Sequence, residues 1–182
     1  MNCPVCKTTT LQPDQLLEGL PAQRCTTCAG QFISSPAYWA WLKSQTLEPE
    51  IPLDDTDAAR VEESMAKICP DCGHLLMRYK VWPNVNFLLD ACGHCNGIWL
   101  DRDEWRTLQA HHLHNRINLF ITRPWQEKLR LAEASKRFDA MYLERFGPDD
   151  YAHIKEIRAW LYGHPRRQAL LAFLSDPDPY KA

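Results

Sequence analysis

All eight cysteines of the 182-residue chain pair as Cys-x-x-Cys: Cys3/Cys6, Cys25/Cys28, Cys69/Cys72 and Cys92/Cys95. A tight turn with this spacing aims two sulfurs at one point, which suits either a metal or dithiol redox chemistry. Eighteen residues separate the two pairs of the first set and nineteen those of the second, the spacing of a four-thiolate zinc site. Zinc accepts four thiolates tetrahedrally at ~2.3 Å and needs no redox change. A catalytic zinc keeps one position open for water, whereas these eight cysteines divide into two closed sets with none left over. Cys3, Cys6, Cys25 and Cys28 are therefore expected to hold one structural Zn2+, and Cys69, Cys72, Cys92 and Cys95 a second. A thiol oxidoreductase is the weaker alternative. Its dithiol would begin a helix directly, yet Asn96–Leu100 intervene between Cys95 and the nearest helix signal. His74 and His94 adjoin the second set and read as exposed polar turn residues.

To bring such pairs together the intervening chain must fold back on itself. Residues 75–91 fit a hairpin: "LLMRYKV" reads as a strand, "WPN" as a turn and "VNFLLDA" as the return. In the first set Pro21 interrupts the return strand and suits only a sheet edge. Each unit is about 40 residues, a size that rarely buries enough surface to fold unaided. Zinc binding, worth ~10–16 kcal/mol at structural sites, supplies the deficit.

The arrangement recurs after about 66 residues, so the N-terminal half is a duplication. "CTTCAGQFISS" parallels "CGHCNGIWLDR", placing Gly30 over Gly97 and Phe32 over Trp99. Between the copies, residues 44–67 are rich in acid and read as an exposed linker, with a short helix predicted from Asp57 to Lys67. Residues 1–100 carry seven Lys/Arg against eleven Asp/Glu, and residues 101–182 carry fourteen against twelve. An acidic half, made more negative by zinc-bound thiolates, is a poor match for phosphate, so net charge does not support a nucleic-acid partner. No window approaches ~18 consecutive apolar residues, which excludes a membrane span. The start "MNCPVCK" lacks an apolar run, and the expected location is the cytoplasm, where thiols favour metal over disulfides.

The block "CPDCG", followed by "CGHCNGIWLDRDE" (Cys69–Glu104), resembles the transcription factor IIB-type zinc ribbons of bacterial proteins, often described as transcription-factor zinc fingers. The resemblance implies a four-cysteine zinc site at Cys69, Cys72, Cys92 and Cys95, and a link to transcription. The first copy is degenerate. Lys7 stands where the glycine is expected, and Phe32, Ser34 and Ala37 replace Trp, Asp and Glu.

Beyond the cysteines the chain reads as helical. Asp101 as N-cap with Glu104 at N3 starts one helix. Pro124 and Gly147 bracket another, whose Trp125, Leu129, Leu131, Phe138, Met141, Tyr142 and Phe146 form a broad apolar face. "PDDYAHIKEIRAWLYG" and a last helix from near Pro165 follow. His111, His112 and His114 lack an acidic companion and read as a polar helix end rather than a metal site. Arg116, Arg123, Lys128, Arg130, Lys136, Arg137 and Arg145 alternate with acids and read as a solvated face.

The expected fold class is small zinc-stabilised β, two tandem zinc ribbons, plus an all-α C-terminal region. The boundaries are 1–43 for the first ribbon, 44–67 for the linker, 68–105 for the second ribbon and 106–182 for the helices. The expected function is non-catalytic: a zinc-binding module that docks on another protein, with a transcription-associated nucleic-acid binder as the alternative.

Overall fold

The computed structural model describes residues 1–16, 19–45, 65–82, 85 and 87–181. Most of the acidic linker, the first part of its predicted helix and Pro83–Asn84 of the predicted turn lie outside the described residues. Residues 65–67, at the end of that predicted helix, are not helical.

Each cysteine set frames three strands. The first copy gives β1 (Gln12–Gln15), β2 (Pro21–Arg24) and β3 (Gln31–Ile33), followed by α1 (Ser35–Leu42). The second gives β4 (Leu76–Lys80), β5 (Leu88–Cys92) and β6 (Ile98–Leu100), followed by α2 (Glu104–Ala110). The six strands form one antiparallel sheet in the order β1-β2-β3-β6-β5-β4. The two ribbons are thus joined where β3 pairs with β6, with Gln31 opposite Leu100, Phe32 opposite Trp99 and Ile33 opposite Ile98. Apart, each ribbon would leave this strand as an open edge, and joining them removes both edges at once.

Pro21 departs from the sequence expectation. It opens β2, which lies inside the sheet between β1 and β3 and not at its edge. A proline is compatible with the first residue of a strand, where the missing N–H need not break the ladder that follows.

Strand alternation separates two cores. Ile33, Ile98 and Leu100 face a large cluster with Tyr38 and Trp41 of α1, Trp105 and Leu108 of α2, and Ile117 and Phe120 of α3 (Ile117–Phe120). Phe32 and Trp99 face the opposite way, into a smaller cluster with Leu11, Leu76 and the cysteines. On the helical side the buried Tyr38 hydroxyl donates to the His114 carbonyl (3.0 Å) and accepts from the Ile117 N–H (3.0 Å). Trp125 at the start of α4 (Arg123–Phe146) stacks on Trp82 and donates its indole N–H to the Val81 carbonyl.

The chain divides into two compact units, Met1–Arg130 and Leu131–Ala182. Both ribbons and the helices up to the first turns of α4 therefore share one unit, and the boundary lies well beyond residue 105. The second unit holds the rest of α4, α5 (Pro148–Tyr162) and α6 (Arg167–Ser175). The helix limits follow their signals: Pro124 in the first turn of α4, and Gly147 after its end with φ +80°. The apolar face expected on α4 is covered only at its start. Leu129 is buried, while Leu131, Phe138, Met141, Tyr142 and Phe146 are exposed.

Candidate metal centres

Four turns carry the cysteines and all have one backbone design. The residue after the second cysteine donates its N–H to the carbonyl of the first: Lys7 to Cys3 (2.8 Å), Ala29 to Cys25 (2.9 Å), Gly73 to Cys69 (3.0 Å) and Asn96 to Cys92 (2.9 Å). That residue is left-handed in every case, with φ of 63°, 61°, 75° and 56° respectively. Glycine and asparagine adopt this conformation readily, whereas lysine and alanine are strained there. This strain is the physical content of the degeneracy at Lys7. Lys7→Gly is expected to stabilise the chain by about 0.5–1 kcal/mol, read from urea midpoints at constant zinc.

The turns bring the sulfurs of Cys3, Cys6, Cys25 and Cys28 within 4.8 Å of one another, and likewise those of Cys69, Cys72, Cys92 and Cys95. Across the two turns of each set the contacts are Cys3–Cys28 at 3.6 Å, Cys6–Cys25 at 3.8 Å, Cys69–Cys95 at 3.5 Å and Cys72–Cys92 at 3.4 Å. A tetrahedron with metal–sulfur bonds of ~2.3 Å has edges of ~3.8 Å, so each cluster fits one zinc ion. Backbone N–H groups support the sulfurs, as Cys6 N–H donates to Cys3 Sγ (3.3 Å) and His94 N–H to Cys92 Sγ (3.4 Å). Burial would raise the Cys25 and Cys92 thiols, but N–H groups of Cys28 and Thr27, and of Cys95 and His94, outweigh it and bring them down to about 6 and about 7. Burial keeps the Cys3, Cys28, Cys69 and Cys95 thiols above their ordinary value. Zinc binding must therefore expel protons, and acid favours its release.

The centres are closed off by a crossed exchange of aromatic rings. Gly30 follows the second turn of the first ribbon, yet the ring against it is Trp99 of the second. A Cβ on Gly30 would lie 2.2 Å from Trp99 Cζ2. Reciprocally, a Cβ on Gly97 would lie 2.5 Å from Phe32 Cζ and 3.3 Å from Cys95 Sγ. Trp99 thus anchors the other ribbon. Phe32 opposite Trp99 in the β3–β6 register makes the exchange mutual.

A buried ionic group then fixes Trp99. Its indole N–H donates to Asp101 Oδ1 (2.8 Å), and the other Asp101 oxygen accepts from Lys67 Nζ (2.6 Å). Lys67 also reaches Asp90 Oδ2 (2.5 Å), and both are almost fully buried. Burial alone would lower the Lys67 ammonium, but its bonds to Asp101 and Asp90 prevail and hold it protonated. Glu104 completes the set by accepting from the Asp101 N–H (2.9 Å). Asp101 is thus not the side-chain cap of α2 that the sequence suggested. Its carboxylate is taken by Trp99 and Lys67, and the helix starts later, after Asp103. Only the Glu104 half of the capping box forms. Sequence reasoning missed Lys67, counted as the end of the linker; the signal was Asp90, a lone acid in an apolar strand that needed a buried cation.

Glu104 has a measurable consequence. Burial, with Asp101 adding to it, pushes its carboxyl up from 4.5 to about 8. Between those values the folded state holds a proton that the unfolded state has lost, so this group's contribution is present in acid and disappears as pH rises through about 8. Glutamine keeps the acceptor without the charge. Glu104→Gln should therefore gain stability relative to the parent as pH rises from 5 to 9, with the gain read at each pH from paired urea melts on zinc-loaded protein.

The histidines do not join the clusters. His74 and His94 are exposed and stack at 4.0 Å, while the metal sets contain cysteine alone. His111 and His112 are exposed, and the His114 ring packs against Trp41 and Trp105. Arg116, expected on a solvated face, is buried.

The model of the family described as transcription factor zinc-finger, the TFIIB-type zinc ribbon, matches residues 68–111. The second repeat is a TFIIB-type zinc ribbon. No curated protein and no solved structure matches the chain. The first ribbon, with its own four-cysteine cluster and the same strand order, makes the ribbons a tandem pair. Together the two clusters form two structural zinc sites. Within the ribbon the motif residues that follow the last cysteine, Trp99, Asp101 and Glu104, serve the joint between repeats: Trp99 seats on the other copy, Asp101 holds Trp99, and Glu104 holds the Asp101 backbone.

Proposed function

We propose that this is a non-catalytic, zinc-stapled module that docks on another protein in the cytoplasm. The carrying observation is the apolar surface of the second unit, where Leu131, Phe138, Ile157, Trp160, Phe173 and Leu174 are all exposed. Such residues concentrated on one small helical unit mark a contact surface more than a solvated face. Against catalysis stands the closure of both centres by four thiols each, which leaves no position for water or substrate. Against thiol redox chemistry, strand β6 follows Cys95 and no helix starts at either dithiol of that ribbon. Among the described residues no helix is long and apolar enough to cross a membrane. The family description favours a second reading, transcription-associated nucleic-acid binding.

The test uses the zinc-loaded full chain as bait at low salt, beside the double variant Leu131→Glu, Trp160→Glu. Docking on protein predicts a defined partner that the parent captures and the variant loses while keeping both zinc ions. Retention on DNA or RNA that falls steeply with salt, unaffected by the variant, would establish the nucleic-acid reading instead.

A further inference from the structure

Duplication gives the first unit two equivalent clefts, each between one ribbon's strands and the other repeat's helix. One, of ≈ 300 Å³, has Asn96 and Ile98 on the ribbon side and Ser35, Tyr38 and Trp39 on the α1 side. The other, of ≈ 290 Å³, has Ala29 and Gln31 on the ribbon side and Arg102, Trp105 and Arg106 on the α2 side. With the repeats aligned through Cys28 and Cys95, these residues correspond one to one: Ala29 with Asn96, Gln31 with Ile98, Ser35 with Arg102, Tyr38 with Trp105, and Trp39 with Arg106. The same architecture is thus neutral in one copy and arginine-lined in the other, where Arg24 of β2 adds a third guanidinium.

We propose that the arginine-lined cleft binds a small ligand through a carboxylate or phosphate group held by Arg24, Arg102 and Arg106. Arg24 and Arg102 have no side-chain hydrogen bond or ion pair among the described residues, so their donors are open to a ligand. Arg106 meets Asp103 at 3.5 Å in a solvent-exposed pair, which competes weakly with a bound oxyanion. The planar forks of arginine match the two-oxygen edge of carboxylate and phosphate. Gln15 and Gln109 border the cleft with amide donors. The wall residue Trp105, itself 95 % buried, has an indole N–H without a hydrogen-bond partner. Three arginines line the cleft against one acid, Asp103. The volume lies at the lower limit of ligand sites and suits one small oxyanionic group. The cleft lies in the ribbon unit, so this assignment does not depend on docking through α4–α6.

The test titrates the zinc-loaded full chain with inorganic phosphate and, separately, with succinate, following backbone amide shifts of Gln15, Gln31 and Gln109 by NMR. Saturable shifts with phosphate alone assign a phosphate-bearing ligand, and with succinate alone a carboxylate-bearing one; both outcomes support the site. Arg102→Gln and Arg106→Gln, exposed positions expected to retain both zinc ions, should each weaken binding about tenfold. Trp39→Ala in the neutral cleft should leave it unchanged. Shifts that never saturate with either anion, or that are equal in the arginine variants, would overturn the proposal. So would a response to an oligonucleotide but to neither free anion, since that requires phosphates strung along a surface.

Discussion

Cys25→Ser is expected to remove zinc from the first ribbon and to loosen it in the second. Three remaining thiolates hold the ion far more weakly, so moderate chelator concentrations should leave one equivalent of zinc where the parent retains two. The ~10–16 kcal/mol of a structural zinc site is what organises a ribbon of this size, and the first repeat should lose its strands with its metal. Independent ribbons would stop there. Here β3 is the neighbour of β6, and Gly30 is the seat of Trp99. Loss of the first ribbon therefore opens the edge of β6 and exposes the Trp99 ring. The intact site at Cys69, Cys72, Cys92 and Cys95 should lose about tenfold or more in zinc affinity, a coupling of ordinary size between linked sites. The reciprocal variant, Cys92→Ser, should weaken the first site in the same way, because coupling free energies are mutual. Chelator competition with site-resolved NMR measures both.

Gly30→Ala is the second large effect. The added carbon would lie 2.2 Å from a fully buried ring whose indole is tied to Asp101, so neither partner can move aside cheaply. Overpacking of this kind costs about 3 kcal/mol or more. A local strain model and the crossed-ring model differ in what relieves it. If the obstacle is Trp99 of the other repeat, Trp99→Leu should make room, and the double variant should be more stable than the two separate losses predict. Additivity would place the obstacle elsewhere. Gly97→Ala with Phe32→Leu is the symmetric cycle, and its Cβ also crowds Cys95 Sγ, so relief there should be partial.

Both metal sites were legible in the sequence because their ligands are local. A Cys-x-x-Cys turn fixes two sulfurs by itself, and a hairpin of suitable length delivers the other two. Helix limits at Pro124 and Gly147 were legible for the same reason: caps and stops act within one turn. The joint between ribbons is different in kind. Strands β3 and β6 are three residues each, and nothing in "QFI" or "IWL" states which other edge they will meet. The repeat alignment did place Gly30 over Gly97 and Phe32 over Trp99. It could not show that each ring crosses to the other copy's glycine, because equivalence within a repeat is silent about contact between repeats. Lys67 was missed because it stands at the end of an acidic run, where a lysine is ordinarily solvated. Its burial follows from Asp90 and Asp101, distant in sequence, which share the one ammonium. On α4 the apolar spacing was real, but spacing cannot say whether a face is covered by its own chain.

Interproton contacts in the zinc-loaded full chain test most directly whether the ribbons are fused through crossed rings. The predicted result is strong cross-peaks from the Trp99 indole protons to the Gly30 Hα and from the Phe32 ring to the Gly97 Hα. Contacts from each ring confined to its own repeat would contradict the account.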